Sequence, residues 1–202
     1  MRKAWLIVLG ILLIDQASKL WIKSTMYLNE SIEVFSWFYI HFTENPGMAY
    51  GMEFGGVWGK LALTLFRIIA IVAIIWWLKQ VVREKRKPVA IWGISLVLAG
   101  AIGNVIDSLF YGLVFSESVG HVATWFPEGG GYAPFLQGKV VDMLYFPIFS
   151  GYLPEWVPFK GGSYFTFFNA IFNVADVAIS TGIGLLLLFQ KTVFNKIPTA
   201  QG

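Results

Sequence analysis

The acidic residues of this 202-residue chain are partitioned by type. All eight glutamates fall in polar connections, whereas the four aspartates, Asp15, Asp107, Asp142 and Asp176, lie within or beside long apolar runs. An ionised carboxylate at the centre of a membrane span costs about 2.5–3.5 kcal/mol on insertion scales, so such groups face the protein interior and usually carry function. Asp15 and Lys19 are four apart on a helix and share a face, which predicts mutual neutralisation and an architectural role. Asp107 follows Ala99, Gly100, Ala101 and Gly103, with Asn104 three residues before it. That composition predicts close helix–helix contact knitted by polar side chains. Asp142 sits between Val140, Val141 and Met143, Leu144, and Asp176 stands behind Phe172, Asn173 and Ala175. Both are expected at the outer surface side of a membrane.

Two carboxyls that meet cannot both ionise cheaply, so one keeps a proton and an acid and a base stand side by side. Such a dyad can deprotonate water with one member and protonate a peptide carbonyl with the other, giving hydrolysis without a metal or a covalent intermediate. The competing chemistries are poorly supplied. With no cysteine there is no thiol nucleophile and no thiolate metal site. His41 and His121 are the only imidazoles, no H-E-x-x-H pair occurs, and no G-x-S-x-G turn offers a serine nucleophile. No metal and no cofactor are expected.

The elements that must position these aspartates are membrane helices. The chain is 56% hydrophobic and 13% charged, against about 25% charged in soluble domains. Four apolar stretches are long enough to span, at approximately 4–22, 61–78, 89–110 and 164–189. The first is read as a retained span, because it continues through Asp15, Gln16 and Lys19 without an A-x-A cleavage site. Nine of the 15 Lys and Arg residues lie on one side: Arg2, Lys3, Lys79, Arg83, Lys85, Arg86, Lys87, Lys191 and Lys196. This bias predicts cytoplasmic termini and two long outer connections, at about 29–56 and 112–163. Alternation around Ile32, Val34, Phe35, Phe38, Ile40 and Phe42 predicts short strands in the first. Trp125, Tyr132, Tyr145, Tyr152 and Trp156 mark the second as interfacial, and its Gly129, Gly130, Gly131 run suggests a mobile lid or a lineage-specific surface loop. The expected fold is therefore an all-α membrane protein of one domain, residues 1–202, with four transmembrane helices, a small extracytoplasmic β-rich cradle and a second outer connection. The basic clusters read as topology signals, and no nucleic-acid partner is expected.

Five ordered motifs carry a resemblance that covers nearly the whole chain. They are Asp15-Gln16-Ala17-Ser18-Lys19, then Asn45-Pro46-Gly47-Met48-Ala49-Tyr50-Gly51, then Gly100 to Asp107, then Val140-Val141-Asp142-Met143, and finally Phe172-Asn173-Val174-Ala175-Asp176. In order, spacing and topology the chain resembles the lipoprotein signal peptidases, the type II signal peptidases of bacteria. The resemblance implies a multi-pass aspartyl endopeptidase of the bacterial inner membrane that cuts signal peptides from prolipoproteins before a diacylglyceryl-modified cysteine. It implies catalytic roles for Asp142 and Asp176. Asn45, Gly47, Gly103, Asn104, Asp107, Asn173, Ala175, Asp15 and Lys19 fall in its motifs as binding or supporting residues. The implied partners are lipidated precursors, membrane lipids and the cyclic peptide inhibitors of the family. One departure stands out: the family commonly has Arg directly after the third-span aspartate, and this chain has Ser108. Arg67, the one arginine inside the expected spans, is a substitute source of charge, or else a snorkelling residue.

Two readings of other classes compete. Intramembrane Asp residues beside a Lys also describe a small transporter or proton conduit, for which an inverted repeat is expected and none is visible. A purely structural protein held together by polar contacts is the third, and it would tolerate Asp142→Asn.

Overall fold

The computed structural model describes residues 1–46 and 56–194. In order, α1 (Arg2–Thr25) leads to strands β1 (Ser31–Phe35) and β2 (Phe38–Asn45), and α2 (Gly56–Arg83) precedes α3 (Pro88–Ile106). The third helix continues through a π-helical turn, Asp107–Tyr111, into the short α4 (Gly112–Val114). Four strands follow, β3 (Val140–Tyr145), β4 (Phe149–Tyr152), β5 (Tyr164–Phe167) and β6 (Ile171–Phe172), before α5 (Val174–Leu188) and α6 (Gln190–Phe194) close the described chain.

Three helices, Arg2–Thr25, Gly56–Arg83 and Pro88–Val114, are long and apolar enough to cross a membrane, and Val174–Leu188 is a shorter apolar helix. Their outer faces leave Leu13, Phe66, Ile69, Val72 and Leu188 exposed, an arrangement that suits lipid and is unfavourable in water. α3 is central and contacts α1, α2 and α5. Small residues permit this. A Cβ added at Gly100 would collide with the carbonyl oxygen of Ala175, and one at Gly182 would stand 2.6 Å from the carbonyl oxygen of Gly93. The two helices therefore meet backbone to backbone.

The core is divided along the helix axes. Ala4, Val8, Leu78, Ile94, Leu98 and Ala99 form one buried apolar cluster. Ile22, Met26, Phe42, Tyr111, Phe115, Val141 and Met143 form a second. Between their positions on α1 and α3 lie the buried Asp15, Lys19, Asn104 and Asp107. A polar layer is thus sealed between two apolar ones.

The strands make a four-stranded sheet of order β1-β2-β3-β6 and a separate two-stranded ribbon of β4 and β5. The strands expected near 29–56 are β1 and β2, while residues 47–55, with Gly47 and the rest of its motif, lie outside the described residues. Other boundaries differ from expectation. The fourth apolar helix begins at Val174 and not near 164, because the alternating, aromatic Tyr164–Phe172 stretch pairs as strands and Asn173 caps the helix. The second outer connection accordingly runs on past 163 and holds four of the six strands, β3 to β6. Gly131 is not part of a free loop, since a Cβ there would strike the backbone of Gly112 and Leu113, and Ala133 N–H donates to the Gly112 carbonyl at 3.0 Å.

Candidate active site

Asp142 is held by strand pairing: Thr43 lies opposite it and Asn45 opposite Val140 in the β2–β3 ladder. Asp176 is set by a capping box. Asn173 is the N-cap of α5, its Oδ1 accepts the Asp176 N–H at 2.9 Å, and the Asp176 carboxylate accepts the Asn173 N–H at 3.4 Å. The N-x-x-D spacing of the sequence is the local cause.

One side chain bridges the two aspartates. The Asn173 amide nitrogen, fully buried, donates to Asp142 Oδ1 at 2.6 Å and also lies 3.1 Å from Asn104 Oδ1. Asn104 in turn donates to Asp176 Oδ1 at 2.8 Å. Asn45 Nδ2 reaches the other oxygen, Asp142 Oδ2, at 3.3 Å. Each carboxylate is thus fixed by asparagine amides, which hold it whether or not it carries charge. Burial together with the neighbouring Asp176 charge pushes the Asp142 carboxyl up to about 7, against the opposing hydrogen bonds of Asn45 and Asn173.

Below this pair stands Lys19, fully buried, whose ammonium meets three acceptors: Asp107 Oδ2 at 2.9 Å, Asp15 Oδ2 at 3.0 Å and Asn104 Oδ1 at 3.0 Å. Its three N–H bonds are matched one to one. The two aspartates reach onward from the lysine. Asp15 Oδ1 accepts the Ala175 N–H at 2.9 Å, at the start of α5, and Asp107 Oδ2 accepts the Val141 N–H at 3.2 Å, in β3 beside Asp142. The motif members Asp15, Lys19, Asn104 and Asp107 therefore form the seat on which both Asp142 and Asp176 rest. Gly103 belongs to it as well, since a Cβ there would lie 2.6 Å from Asp15 Oδ2.

Sequence reasoning missed Gln16 and a second cluster. Gln16 Nε2 lies 3.0 Å from both Asp15 Oδ2 and Asp107 Oδ1, and its Oε1 accepts from Tyr111. Lys23, fully buried, pairs with Glu44 at 2.7 Å and with Ser118 Oγ at 2.7 Å, under the rings of Phe42, Phe115 and Tyr132. Lys139 reaches the same Glu44 at 3.2 Å. The signal was the four-residue stripe Asp15, Lys19, Lys23 on one face of α1. Ser108 is buried and its hydroxyl turns back to the Asn104 carbonyl at 3.1 Å. Half-buried Arg67 on α2 lies in the electrostatic field of Asp176, Asp107 and Asp142.

Residues 7–192 match the family profile described as signal peptidase (SPase) II. A Porphyromonas gingivalis (strain ATCC 33277) protein named lipoprotein signal peptidase is 50% identical over 192 residues, covering 94% of this chain and 83% of the relative. A second of that name, from Amoebophilus asiaticus (strain 5a2), is 39% identical over 198 residues, covering 94% of this chain and 79% of its own. A solved bacterial membrane enzyme, 23% identical, superposes with a TM-score of 0.62 over 100% of this chain and 96% of the other, which shows a shared fold.

Proposed function

The chain belongs to the signal peptidase II family, and on that premise we propose that it is an aspartic endopeptidase of the bacterial inner membrane that removes signal peptides from prolipoproteins ahead of a diacylglyceryl-modified cysteine. The observation that carries the reading is the Asn173 bridge, which ties Asp142 and Asp176 into one unit by 2.6 and 2.9 Å contacts. In this unit Asp142, whose carboxyl is pushed up to about 7, holds the shared proton, and Asp176 is the base. Asp176 takes a proton from a water as its oxygen attacks the scissile carbonyl carbon, while Asp142 gives its proton to the carbonyl oxygen. Collapse of the tetrahedral diol then breaks the C–N bond, with a proton passed to the leaving amine. The products are a free carboxylate and a free amino terminus on the cysteine.

Asn45 and Asn104 orient the carboxylates, and Arg67 supplies the cationic charge near the site that Ser108 cannot. All four apolar helices span the membrane, with both termini in the cytoplasm as the lysine and arginine bias requires. Precursors and bilayer lipids reach the site laterally, and cyclic peptide inhibitors of the family compete there. Incubating the purified protein with a lipidated precursor peptide tests the reading: cleavage ahead of the cysteine is expected. An intact peptide, with proton flux across proteoliposomes instead, would return the transporter reading.

A further inference from the structure

Between the strand that bears Asp142 and the helix that bears Asp176 the chain makes the β4–β5 ribbon, which pairs Phe149 with Phe167, Ser150 with Thr166, Gly151 with Phe165 and Tyr152 with Tyr164. Residues opposite each other in an antiparallel pair share a face, and faces alternate along each strand. One face is therefore Phe149, Gly151, Phe165 and Phe167, and the other is Ser150, Tyr152, Tyr164 and Thr166. Every side chain of the second face carries a hydroxyl. Ser150 Oγ bonds Thr166 Oγ1 at 3.1 Å and the two tyrosine rings meet edge to face at 5.3 Å.

The phenylalanine face is uncovered: Phe149, Phe165 and Phe167 are 64%, 39% and 53% exposed. A two-stranded ribbon is marginal in water by itself, and three bare phenylalanines make it more so. The tip adds the exposed Trp156 and Phe159, and from 143 to 172 the only charges are Glu155 and Lys160, both at that tip. Aromatic rings also join the foot of the ribbon to the four-stranded sheet. A row of rings runs from Phe35 and Trp37 on the β1–β2 hairpin through Phe146, stacked on Phe38 at 4.6 Å and on Phe172 at 5.7 Å, to Phe168 at the foot of β5. Amphipathic, aromatic-rich and uncharged along its length, this is the composition of a segment lying in the headgroup boundary of a bilayer.

We propose that the β4–β5 ribbon lies flat in the outer interface of the membrane, with Phe149, Phe165 and Phe167 among the acyl chains and the four hydroxyl residues toward water. The occupant is the lipid surface itself, and the inference deepens the membrane-peptidase reading on which it rests. The ribbon is joined directly to β3 and β6, which pair Leu144 with Phe172 next to both aspartates. Its seat in the lipid fixes the depth at which the site opens.

The absence of cysteine makes the test direct. Single variants Phe165→Cys and Phe167→Cys, and Ser150→Cys and Thr166→Cys, are labelled with a polarity-sensitive fluorophore in nanodiscs containing lipids brominated in the acyl chain. Blue-shifted emission and quenching at 165 and 167, with neither at 150 and 166, are expected. Phe149→Cys substitutes for either phenylalanine site that fails to fold. Aqueous emission at every position overturns the proposal. So does blue-shifted emission that brominated lipid leaves unquenched and that appears with energy transfer between labelled copies, which assigns the face to a second copy. Because label depth is read without turnover, a ribbon found in lipid on a protein that cleaves nothing would refute the peptidase and leave the docking intact.

Discussion

At the scale of residues, the Asp142 carboxyl is the one whose charge state bears directly on the proposed catalysis. An acid whose folded value stands at about 7 is protonated below it, and the mechanism needs that proton. The rate governed by kcat/KM is expected to fall as the pH rises through about 7, in a pH profile measured on a lipidated peptide. Linkage has the same sign. The stability this group contributes, present below the ordinary carboxylate range, is lost as the pH rises to about 7, because the folded state binds the proton more tightly than the unfolded chain. On the proposed mechanism, Asp142→Asn and Asp176→Asn each remove an acid or base step, which is typically worth about 10²–10⁴ in rate. Both are expected to fold and to lose cleavage by at least that factor, whereas near wild-type turnover in either would remove the dyad. Lys19→Met is expected to act differently. It strands Asp15 and Asp107 in a buried site, a change that typically costs about 3–5 kcal/mol, so thermal unfolding in detergent should show a large drop in Tm. Restoring much of that Tm by combining it with Asp107→Asn would identify stranded charge as the cause.

At the scale of elements, the helix pair α3 and α5 sets the distance between the seat and the aspartates. Gly103→Ala pushes a methyl against the Asp15 carboxylate, whose other oxygen holds the start of α5. Overpacking of this kind costs about 1–3 kcal/mol. Cleavage is expected to fall more steeply than Tm, because the displaced group positions Ala175 beside Asp176, and equal small effects on both would contradict that coupling. Much of this was legible in the sequence. The small residues ahead of Asn104 announced a close helix contact, and the isolation of four aspartates in apolar surroundings pointed to the candidate site. What spacing alone did not disclose was partnership. The i, i+4 rule joins Asp15 to Lys19, but nothing local says that the same lysine meets Asp107 or that Asp15 reaches Ala175. The start of α5 was misplaced for a related reason: Tyr164–Phe172 is apolar enough to pass for a span, and only pairing with β3 and β4 makes it strand.

At the scale of the whole molecule, the polar layer on α1 and α3 is sealed between two apolar clusters. The proposed orientation rests on the lysine and arginine bias. Cysteines introduced at 86 and at 128 are expected to label from opposite faces of the membrane, with 86 protected from a reagent confined to the periplasm; labelling of 86 from that side would invert the topology. The ribbon and the ring row between β1 and β6 were partly legible as aromatic content. Their division into a phenylalanine face and a hydroxyl face required the register, which depends on which residues of two distant strands stand opposite each other.

The hydrogen bond from Ala175 N–H to Asp15 joins residues 160 positions apart in the chain. While the chain is being made, α1 through α4 precede α5, so Asp15, Lys19 and Asp107 are made first and the clamp on α5 has nothing to grip until α5 follows. An order of biogenesis follows for the proposed site: Asp142 and Asp176 are seated together only once α5 has inserted, so a chain released before that step is expected to leave lipoproteins nearby uncut. A product stopped before Val174 is expected to insert, to remain inactive and to be cleared by membrane quality control. Supplying the segment from 164 to 202 as a separate polypeptide is expected to restore cleavage in cells, with Ala175→Pro, which removes the N–H, failing to do so.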